Sequence, residues 1–419
     1  MRVTAIKGFS DILPGEVESW QLVEEKARRV FSSYNFSEIR IPIVEKTELF
    51  SHSLGETTDI VEKEMYTFAD RDGSMLTLRP EGTAGVVRAY VESEMHKTEP
   101  VRKLYYVGPM FRRERPQKGR LRQFHQIGAE ALGRADPFID AEMLLMLRDF
   151  FSAVGLEGAA LELNSLGDSQ CRPHYRKKLL AFLKQKEDSL CANCRRRMER
   201  NPLRVLDCKE PGCVEATREA PSILESLCAD CRDHLDTVRR LLEETNVSYV
   251  LNPRMVRGLD YYCRTTFEWT SRLLGSQNTV AAGGRYDGLV QELGGPAIPG
   301  VGFAIGVERL TLLLRNRAMT EPTGPSLYIV WIGTKARDWA FPVVHRLRQS
   351  GLVVEIEGES KSLKSQMRRA DKLKANSVLI VGDDELRKGL AVLRDMASKQ
   401  QKEIGFDLLE TELLSKKAG

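Results

Sequence analysis

The stretch VRKLYYVGPMFRRERPQKGRLRQFHQIGAEALG, from Val101 to Gly133, decides the fold of this chain. Both of its arms alternate as β-strands do, and the charged segment RPQKGR between them, residues 115–120, predicts a loop. Side chains two positions apart share a face of a strand, so each arm carries one set of residues on a common face. These sets are Leu104, Tyr106, Met110, Arg112 and Glu114 on the first arm and Phe124, Gln126 and Glu130 on the second.

The chemistry of that face indicates a binding surface. The usual antiparallel hairpin gives its polar face to water, and this remains the alternative. Here an aromatic ring and an amide are interleaved with arginine and carboxylate side chains. An adenine could stack on Phe124, phosphates could be bound by the forked guanidinium of Arg112, and an N–H group could be held by Glu130.

The hairpin also carries a family resemblance. FRRE, Phe111 to Glu114, and GRLRQFHQ, Gly119 to Gln126, resemble the second signature motif of class II aminoacyl-tRNA synthetases. Their particular residues are similar to those of the histidine-specific family of that class. The resemblance implies an α+β catalytic domain with a mostly antiparallel sheet, a mainly helical insertion and a small C-terminal α/β domain.

Length and composition are compatible with that organisation. A chain of 419 residues is too long for one ordinary core, so we expect two or three domains. The sequence has no apolar run of membrane-spanning length and no signal-peptide pattern at its N-terminus, so we predict a cytoplasmic protein without a membrane segment. The net charge of +4 permits nucleic-acid binding through local patches but does not require it.

Changes in residue composition and pattern along the chain predict the domain boundaries. From Cys171 the chain becomes charged and helical, and a strand pattern resumes at Val247, which predicts an insertion at residues 171–246. The segment TGP after Pro322 predicts a linker. We therefore expect a catalytic domain at residues 1–323 and a small domain at residues 324–419. In the small domain the strands SLYIVWIG, LVVEIE and NSVLIVG alternate with helices.

The N-terminal region predicts a surface that could pair with another chain. Ile39, Ile41 and Ile43 alternate as a strand, and Pro42 removes one of its donors, which confines the strand to an edge or an interface. The helix before it has apolar residues at helical spacing: Trp20, Val23, Ala27, Val30 and Phe31. Helix and strand together resemble the first class II motif, so the resemblance implies a homodimer. A plain edge strand explains the local pattern nearly as well.

The segment SMLTLRPEGTAGVVRAYV predicts a strand followed by a helix. Thr77, Arg79 and Glu81 share one face of the strand, and Thr83 stands where a helix N-cap belongs. The resemblance assigns Glu81, Gly82 and Thr83 to the surroundings of the substrate amino group. The alternative is a capping role for Thr83 and solvent contact for Glu81, and capping is compatible with a substrate contact.

A second motif is similar to the histidine-specific family alone. In RGLDYYCRTTFEW, residues 257–269, alternation predicts that Tyr261, Cys263, Phe267 and Trp269 form the buried side of a strand and that Tyr262 points the other way. Surface exposure for the arginine and packing for the tyrosines are the ordinary alternatives. The resemblance implies that Arg257 contacts the α-phosphate and the substrate carboxylate, and that Tyr261, Tyr262 and, in AAGGRYDGL, Tyr286 line a histidine pocket.

The segment GVGFAIGVERLTLLL, residues 300–314, predicts a glycine-rich strand leading into a helix with Arg309 in its first turn. A cation at a helix N-terminus is electrostatically unfavourable unless an anion joins it. The segment resembles the third class II motif, which implies that Arg309 contacts the phosphates of ATP.

Taken together, the resemblance implies a histidine–tRNA ligase that converts ATP, bound as its Mg²⁺ complex, and L-histidine to histidyl-adenylate and then esterifies tRNA(His). Both reactants are anionic, so positioning and charge neutralisation are the main tasks. The expected catalytic residues are Arg257, Arg112 and Arg309. The expected ATP-binding residues are Arg112, Glu114, Arg120, Phe124 and Arg309. The expected substrate-binding residues are Glu81, Gly82, Thr83, Gln126, Glu130, Arg257, Tyr261, Tyr262 and Tyr286.

Six cysteines within the insertion have metal-ligand spacing. They are Cys191, Cys194, Cys208, Cys213, Cys228 and Cys231, with CxxC pairs at both ends of the series. A tetrahedral zinc site takes four thiolates, so four of these six predict one structural Zn²⁺. Free thiols in a reduced compartment are the alternative.

The C-terminal domain contains a helix with a basic face. Lys361, Lys364, Arg368 and Lys372 form this face, beside a stripe of Leu363, Met367, Ala370 and Leu373 that we predict to be buried. A solvated face and an RNA contact explain the charges equally well. SLKSQMRRADKLKANSVLIVG resembles the anticodon-binding domain of the histidine-specific family.

A different function class must be weighed against the ligase. Non-catalytic regulatory paralogues of the same fold act as partner subunits in histidine biosynthesis. Such paralogues lack the anticodon-binding domain and depart at catalytic positions, whereas Arg112, Arg257, Arg309 and a C-terminal domain are all present here. A class II synthetase of other specificity is disfavoured by RGLDYY.

Overall fold

The computed structural model of this chain describes residues 3–55, 58–275, 278–314 and 324–415. The chain forms two compact units, Met1–Met319 and Thr320–Gly419. The linker predicted after Pro322 begins in residues 315–323, which lie outside the described residues.

The described residues of the first unit form two sheets. Its strands are β1 (Ser37–Glu38), β2 (Val44–Lys46), β3 (Tyr66–Ala69), β4 (Met75–Leu78), β5 (Arg102–Phe111), β6 (Gln123–Leu132), β7 (Ala160–Ser165), β8 (Tyr249–Leu251), β9 (Cys263–Thr270), β10 (Thr279–Arg285) and β11 (Gly300–Gly306). The large sheet has the order β1-β5-β6-β11-β10-β9-β7-β8, and the small one has the order β2-β4-β3. In the large sheet only the outer pairs, β1 with β5 and β7 with β8, are parallel. The mostly antiparallel sheet expected for the catalytic domain is therefore confirmed.

Helices cover one face of the large sheet and leave part of the other open. The helices of this unit are α1 (Val17–Ser33), α2 (Thr47–Leu54), α3 (Thr83–Glu92), α4 (Met95–Thr98), α5 (Pro137–Ala153), α6 (Cys171–Lys184), α7 (Ala192–Arg200), α8 (Pro211–Ala216), α9 (Ala229–Glu244), α10 (Leu289–Glu292) and α11 (Val307–Leu314). Phe31 of α1 and Phe150 of α5 pack in one core cluster with Phe267 and Phe303 of the sheet. This cluster forms the covered face.

The β5–β6 hairpin has the register that its alternation predicts. Leu104 pairs with Glu130, Gly108 with Gln126 and Met110 with Phe124. The intervening residues, such as Tyr105 and Ala129, point into the helix-covered core. The polar and aromatic set therefore lies on the opposite, open face of the sheet.

The strand predicted around Pro42 is wrong in its extent. The chain forms β1 up to Glu38 and β2 from Val44, and residues 39–43 between them are not a strand. The guanidinium of Arg79 donates to the carbonyl oxygens of Ile41 at 2.7 Å and Pro42 at 3.3 Å. This segment crosses from one sheet to the other. Among the described residues, only its ends bond to the backbone of the neighbouring strands: the N–H of Ile39 donates to the carbonyl of Tyr105 at 2.8 Å, and the carbonyl of Ile43 accepts from the N–H of Arg79 at 2.9 Å.

The alternation predicted for residues 261–269 is also wrong at its start. Strand β9 begins at Cys263, and Arg264 has φ +46°. Residues 258–262 precede the strand as a turn, so strand alternation does not apply to them. Tyr261 and Tyr262 therefore both lie on the open face and are both buried, although period two would separate them.

Most of the segment predicted as an insertion is helical, α6 to α9, with short 3₁₀ turns at Glu187–Ser189, Pro202–Val205 and Ile223–Ser226. It has an apolar cluster of its own that includes Leu179, Met198 and Ile223. Its last helix, α9, packs against α5 in the main core through Val238 and Leu242. The helical segment is therefore joined to the sheet through α9.

The second unit is a five-stranded mixed sheet with helices. Its strands are β12 (Leu327–Trp331), β13 (Val354–Ile356), β14 (Ser377–Val381), β15 (Leu390–Asp395) and β16 (Gln401–Gly405), in the order β13-β12-β14-β15-β16. Its helices are α12 (Thr334–Gln349), α13 (Leu363–Lys372), α14 (Asp383–Lys388) and α15 (Leu409–Ser415). Strands β12, β13 and β14 are parallel and the last two are antiparallel. The predicted small α/β domain is confirmed.

The buried stripe predicted for α13 is confirmed at Ala370 and is wrong at its two ends. Leu363 and Leu373 are 41% and 36% exposed, whereas Gln366 and Ala370 are fully buried. The Gln366 amide accepts from the backbone N–H of Trp331 at 3.1 Å and donates to the Trp331 carbonyl at 2.7 Å. These bonds satisfy the buried amide, so a polar residue takes the place that periodicity gives to an apolar one.

Candidate active site

A cavity of about 470 Å³ lies on the open face of the large sheet. The β5–β6 hairpin, β9, β10, β11 and the start of α11 supply most of its lining. Of the residues predicted for the site, it is lined by Glu81, Thr83, Arg112, Glu114, Arg120, Phe124, Gln126, Arg257, Tyr261, Tyr262 and Arg309. Gly82, Glu130 and Tyr286 are not among the lining residues and lie behind them.

The three arginines predicted to be catalytic line this one cavity, although 197 positions separate the first from the last. Arg112 donates through Nε to the carbonyl of Pro80 at 2.9 Å, and Arg309 donates to the carbonyl of Thr279 at 2.6 Å. Arg257 forms an ion pair with Glu268, and its guanidinium lies over the Tyr262 ring at 5.5 Å. Each guanidinium is therefore oriented by fixed groups of the sheet and its loops.

The electrostatics of the cavity favour an anion. Burial lowers the pKa of Arg309, and the nearby positive charges of Arg120 and Arg112 lower it further. Among the described residues, Nε of Arg257 is buried without a hydrogen-bond partner. A cluster of partly desolvated guanidinium groups stabilises a bound anion more than it would in water, because little solvent screens the charges.

The residues expected on the ATP side lie together at the hairpin end of the cavity. Glu114 forms an ion pair with Arg120 at 3.1 Å and lies 3.9 Å from Arg112. The guanidinium of Arg112 lies 5.3 Å from the centroid of the Phe124 ring. An aromatic ring beside two arginines is suited to hold a flat base next to phosphates. Glu114 and Glu268 are carboxylates of this cavity that could hold a divalent cation accompanying the phosphates.

The residues expected on the histidine side form a buried hydrogen-bond network. Glu130 is fully buried and accepts from the hydroxyls of Thr83 at 2.7 Å and Tyr286 at 2.5 Å. Burial raises the pKa of Glu130 to about 8. The carboxylate of Glu81 accepts from the backbone N–H groups of Thr83 at 2.7 Å and Ala84 at 2.9 Å, and burial raises its pKa as well.

The N-cap predicted at Thr83 is wrong. Helix α3 begins at Thr83, so Gly82 is the N-cap residue, and the Glu81 side chain accepts the free N–H groups that a capping side chain normally accepts. The Thr83 hydroxyl is thereby free to donate to Glu130. A Cβ on Gly82 would lie 2.3 Å from the Tyr106 ring, so the close approach of the two segments requires glycine.

An amide of the cavity has an unused hydrogen-bond acceptor. Gln126 lines the cavity, and within the described residues its Oε1 is buried without a partner. Tyr261 and Tyr262 stand beside it with their ring centroids 4.6 Å apart. An N–H group entering between the amide and the tyrosines would find an acceptor in place.

Sequence reasoning missed several residues of the cavity. Glu268 forms an ion pair with Arg257 and accepts a hydrogen bond from the hydroxyl of Thr279 at 2.7 Å. Alternation along FEW could have found it, since Glu268 lies between the two core residues Phe267 and Trp269. Asp207 and Lys209 reach the cavity from the helical segment 171–246, and no local pattern indicates that.

The cysteines form two groups, one of which consists of four of the six thiols predicted for a metal site. Cys191, Cys194, Cys208 and Cys213 make one group, and Asp168, Cys171, Cys228 and Cys231 make the other. Within each group the ligand atoms lie within 4.8 Å of one another. Cys171 and Asp168 were missed because they lie 57 and 60 positions before Cys228 and their grouping is a tertiary contact.

Comparison with known proteins identifies the family. Residues 8–310 match the family model of histidyl-tRNA synthetase, and residues 326–416 match that of the anticodon-binding domain. A histidine–tRNA ligase of Syntrophotalea carbinolica is 55% identical over 419 residues, covering 100% of both chains. One of Geobacter sulfurreducens is 58% identical, covering 96% of this chain and 97% of the relative.

A solved structure agrees with these matches. Apo histidyl-tRNA synthetase of S. aureus has a TM-score of 0.84 and 33% identity, covering 98% of this chain and 100% of that chain. The full-length matches and the C-terminal domain disfavour the regulatory paralogue, which lacks that domain. The chain therefore belongs to the histidyl-tRNA synthetase family, whose members are histidine–tRNA ligases.

Proposed function

We propose that the cavity binds ATP and L-histidine side by side and that Arg112, Arg257 and Arg309 carry the adenylation step of histidine–tRNA ligation. One observation carries the proposal: three guanidinium groups from separate motifs line a single cavity beside an aromatic ring and a buried carboxylate network. Phosphate and carboxylate groups are the ligands that such guanidinium groups bind.

The arginines act by position and charge. The carboxylate oxygen of histidine attacks the α-phosphorus of ATP in line, an O–P bond forms, and the bond to pyrophosphate breaks. Both reactants are anionic, so fixed positive charge lowers the barrier without any proton transfer by the protein. The tRNA ribose hydroxyl then attacks the adenylate carbonyl carbon, and AMP leaves. No serine or cysteine nucleophile is needed.

The histidine side supplies recognition. Gln126, Tyr261 and Tyr262 line the place assigned to the histidine imidazole and amino group. Glu130, behind Thr83, fixes the hydroxyls of Thr83 and Tyr286 and acts through them. A pocket of buried hydrogen-bonding groups discriminates against analogues that leave those groups unpaired by about 10⁴-fold or more.

The metal requirements follow from the same residues. ATP enters as its Mg²⁺ complex, with Glu114 and Glu268 as the carboxylates that would hold the ion. Cys191, Cys194, Cys208 and Cys213 would hold a structural Zn²⁺, because four thiols converge there and Cys208 lies between two residues that line the cavity, Asp207 and Lys209. This zinc would shape the wall of the cavity and take no part in the chemistry.

Quaternary structure and location complete the proposal. Val44, Phe68 and Met75 of the small sheet are between 40% and 49% exposed, an apolar surface that supports a homodimer. None of the helices that the structure describes has the length and apolar character that a membrane crossing needs. All eight cysteines are free thiols, which supports a reducing cytoplasmic location. Sedimentation analysis giving a mass of one chain at micromolar concentration would contradict the dimer.

Recognition of tRNA(His) is assigned to the second unit. Lys364, Arg368 and Lys372 are exposed along α13, where they could contact RNA phosphates. Electrostatic contacts of this kind weaken as salt rises, so the Michaelis constant for tRNA should increase with ionic strength.

Amino-acid-dependent exchange of labelled pyrophosphate into ATP tests the proposal. Purified protein should support exchange with L-histidine and not with the other amino acids. The exchange should need no tRNA, because adenylate formation precedes transfer. Exchange supported by a different amino acid, or none with histidine while the protein is folded, would contradict it.

A further inference from the structure

The second ligand group lies where the helical segment leaves the large sheet and returns to it. Asp168 lies between β7 and α6, and Cys171 is the first residue of α6, at the start of the segment. Cys228 and Cys231 stand at the start of α9, the helix that packs against α5. The four residues therefore join two chain positions that enclose 56 residues between Cys171 and Cys228.

Both ligand groups are built in the same way. In each, the first cysteine of a CxxC pair directly precedes a helix, Cys191 before α7 and Cys228 before α9. In each, the backbone N–H of that cysteine donates to a sulfur of the other pair at 3.1 Å, Cys191 to Cys213 and Cys228 to Cys171. The positive end of a helix and a backbone donor both stabilise a thiolate, which is the form that binds a metal.

The second group has the features of a prepared site. Cys171 and Cys231 are 3% and 1% exposed. Oδ1 of Asp168 accepts from the backbone N–H groups of Gln170 at 2.9 Å and Cys171 at 3.0 Å, while Oδ2 lies 3.6 Å from the Cys228 sulfur. One carboxylate oxygen thus orients the side chain, and the other is left among the three sulfurs. Three sulfurs and one oxygen within 4.8 Å match the ligand number and type of a tetrahedral zinc site.

The backbone next to this ligand group is closely packed and is hydrogen-bonded to a neighbouring segment. Gly167 has φ +63°, and a Cβ there would lie 2.5 Å from the Cβ of Cys171. The carbonyl of Gly167 accepts from the N–H of Arg264 at 2.8 Å, and Arg172, next to Cys171, donates to the carbonyl of Tyr262 at 3.0 Å. Two hydrogen bonds therefore connect the immediate neighbours of the ligands to the segment that carries Tyr262.

We propose that Asp168, Cys171, Cys228 and Cys231 form a second zinc site, which fastens the base of the helical segment and fixes the backbone of Tyr262 in the cavity wall. The two sites are independent in their ligands, so one can exist without the other. Asp168 and the three cysteines are positioning residues with respect to the reaction, because the site acts on the substrate through Gly167, Arg172 and the Tyr262 backbone.

Metal analysis of the full-length protein, purified without chelator, tests the site. The expected content is about two zinc ions per chain, falling to about one in Cys231→Ser and about one in Cys194→Ser, which disables the other group. Cys263→Ser removes a cysteine that is in neither group and should keep both ions. Asp168→Asn, which retains the shape of the side chain, should weaken retention of one ion on dialysis.

The same measurement separates this site from the first one. A single ion that is lost in Cys194→Ser and kept in Cys231→Ser would overturn the second site and support the first. A single ion with the reverse pattern would support the second site. No ion in protein purified without chelator would overturn it.

Two further readouts test the site, and the first of them needs no substitution. Four sulfurs at one site and three at the other predict an X-ray absorption average of about 3.5 sulfur neighbours per zinc at about 2.3 Å. In pyrophosphate exchange, Asp168→Asn should raise the Michaelis constant for histidine several-fold and leave that for ATP near the wild-type value. Equal changes in both constants would contradict the role assigned to the Tyr262 backbone.

Discussion

The two halves of the candidate site differ in how they hold charge. On the phosphate side, Arg112 and Arg309 are permanently charged and are oriented by backbone carbonyls, which do not titrate. On the histidine side, Glu130 is a buried carboxyl group whose pKa is raised to about 8 and whose partners are hydroxyls. One half therefore has a charge that pH does not change, and the other has a protonation state that pH controls.

The comparison explains how one cavity can bind two different ligands, each selectively in its own half. Guanidinium groups attract any phosphate or carboxylate, so they supply strength more than selectivity. Buried hydroxyls and a buried carboxyl group penalise any ligand that fails to match them. Substitutions in the two halves should thus have separable consequences.

The largest effect is expected for the phosphate side. Replacing Arg309 by Gln should lower the rate of adenylate formation by about 10²-fold or more, because a charge contact made in the transition state is lost. Rapid-quench measurement of histidyl-adenylate formation checks this. The control is Arg113→Gln, an exposed neighbour of Arg112 that does not line the cavity and should change the rate less than twofold.

The next effect concerns the histidine side. Replacing Glu130 by Ala should raise the Michaelis constant for histidine by about tenfold or more, since the hydroxyls of Thr83 and Tyr286 lose their buried acceptor. The constant for ATP should change little. Steady-state pyrophosphate exchange measures both, and equal changes in both constants would remove the separation of the two halves.

Glu130 should also give the fold a recognisable pH dependence. Its pKa rises from 4.5 to about 8 on folding, so the folded state binds the proton more tightly than the unfolded state. The free energy of unfolding should therefore fall as pH rises from about 4.5 to about 8 through this group. Urea titrations at several pH values in that range should show that the free energy of unfolding depends less on pH in Glu130→Gln than in the wild-type protein. The same pH dependence in both proteins would argue against the raised pKa.

The smallest effect is expected outside the cavity. Changing Lys364, Arg368 and Lys372 together to Gln should raise the Michaelis constant for tRNA several-fold and reduce its dependence on salt, because about three phosphate contacts are lost. Histidine-dependent pyrophosphate exchange without tRNA should stay at the wild-type rate. A control triple change of Lys388, Lys399 and Lys402, basic residues of the same unit outside α13, should have a smaller effect on tRNA.

Periodicity predicted the parts of the fold that depend on local order. The pairing of Leu104 with Glu130 and of Met110 with Phe124 follows from period two in each arm of one hairpin. The family motifs placed Arg112, Arg257 and Arg309, and the structure brings them to one cavity. The small α/β unit was likewise predictable from alternating strand and helix patterns, whereas the mostly antiparallel sheet followed from the family resemblance.

Tertiary contacts account for what periodicity could not give. Tyr261 and Tyr262 lie on the same side because they belong to the turn before β9, and the sequence pattern did not show that the strand begins only at Cys263. The two groups of metal ligands depend on which distant segments meet, so spacing alone could not show which four of the six cysteines converge, or that Cys228 and Cys231 lie beside Asp168 and Cys171. The cap formed by Glu81 replaced the one expected from Thr83 because the Thr83 hydroxyl has a buried acceptor elsewhere.

Separate binding measurements test the division of the site most directly. Calorimetric dissociation constants for ATP and for histidine would be determined in the wild-type protein, in Arg309→Gln and in Glu130→Ala. We predict that Arg309→Gln weakens ATP and spares histidine, whereas Glu130→Ala weakens histidine and spares ATP. If either substitution weakens both ligands to the same extent, the cavity does not have two chemically distinct halves.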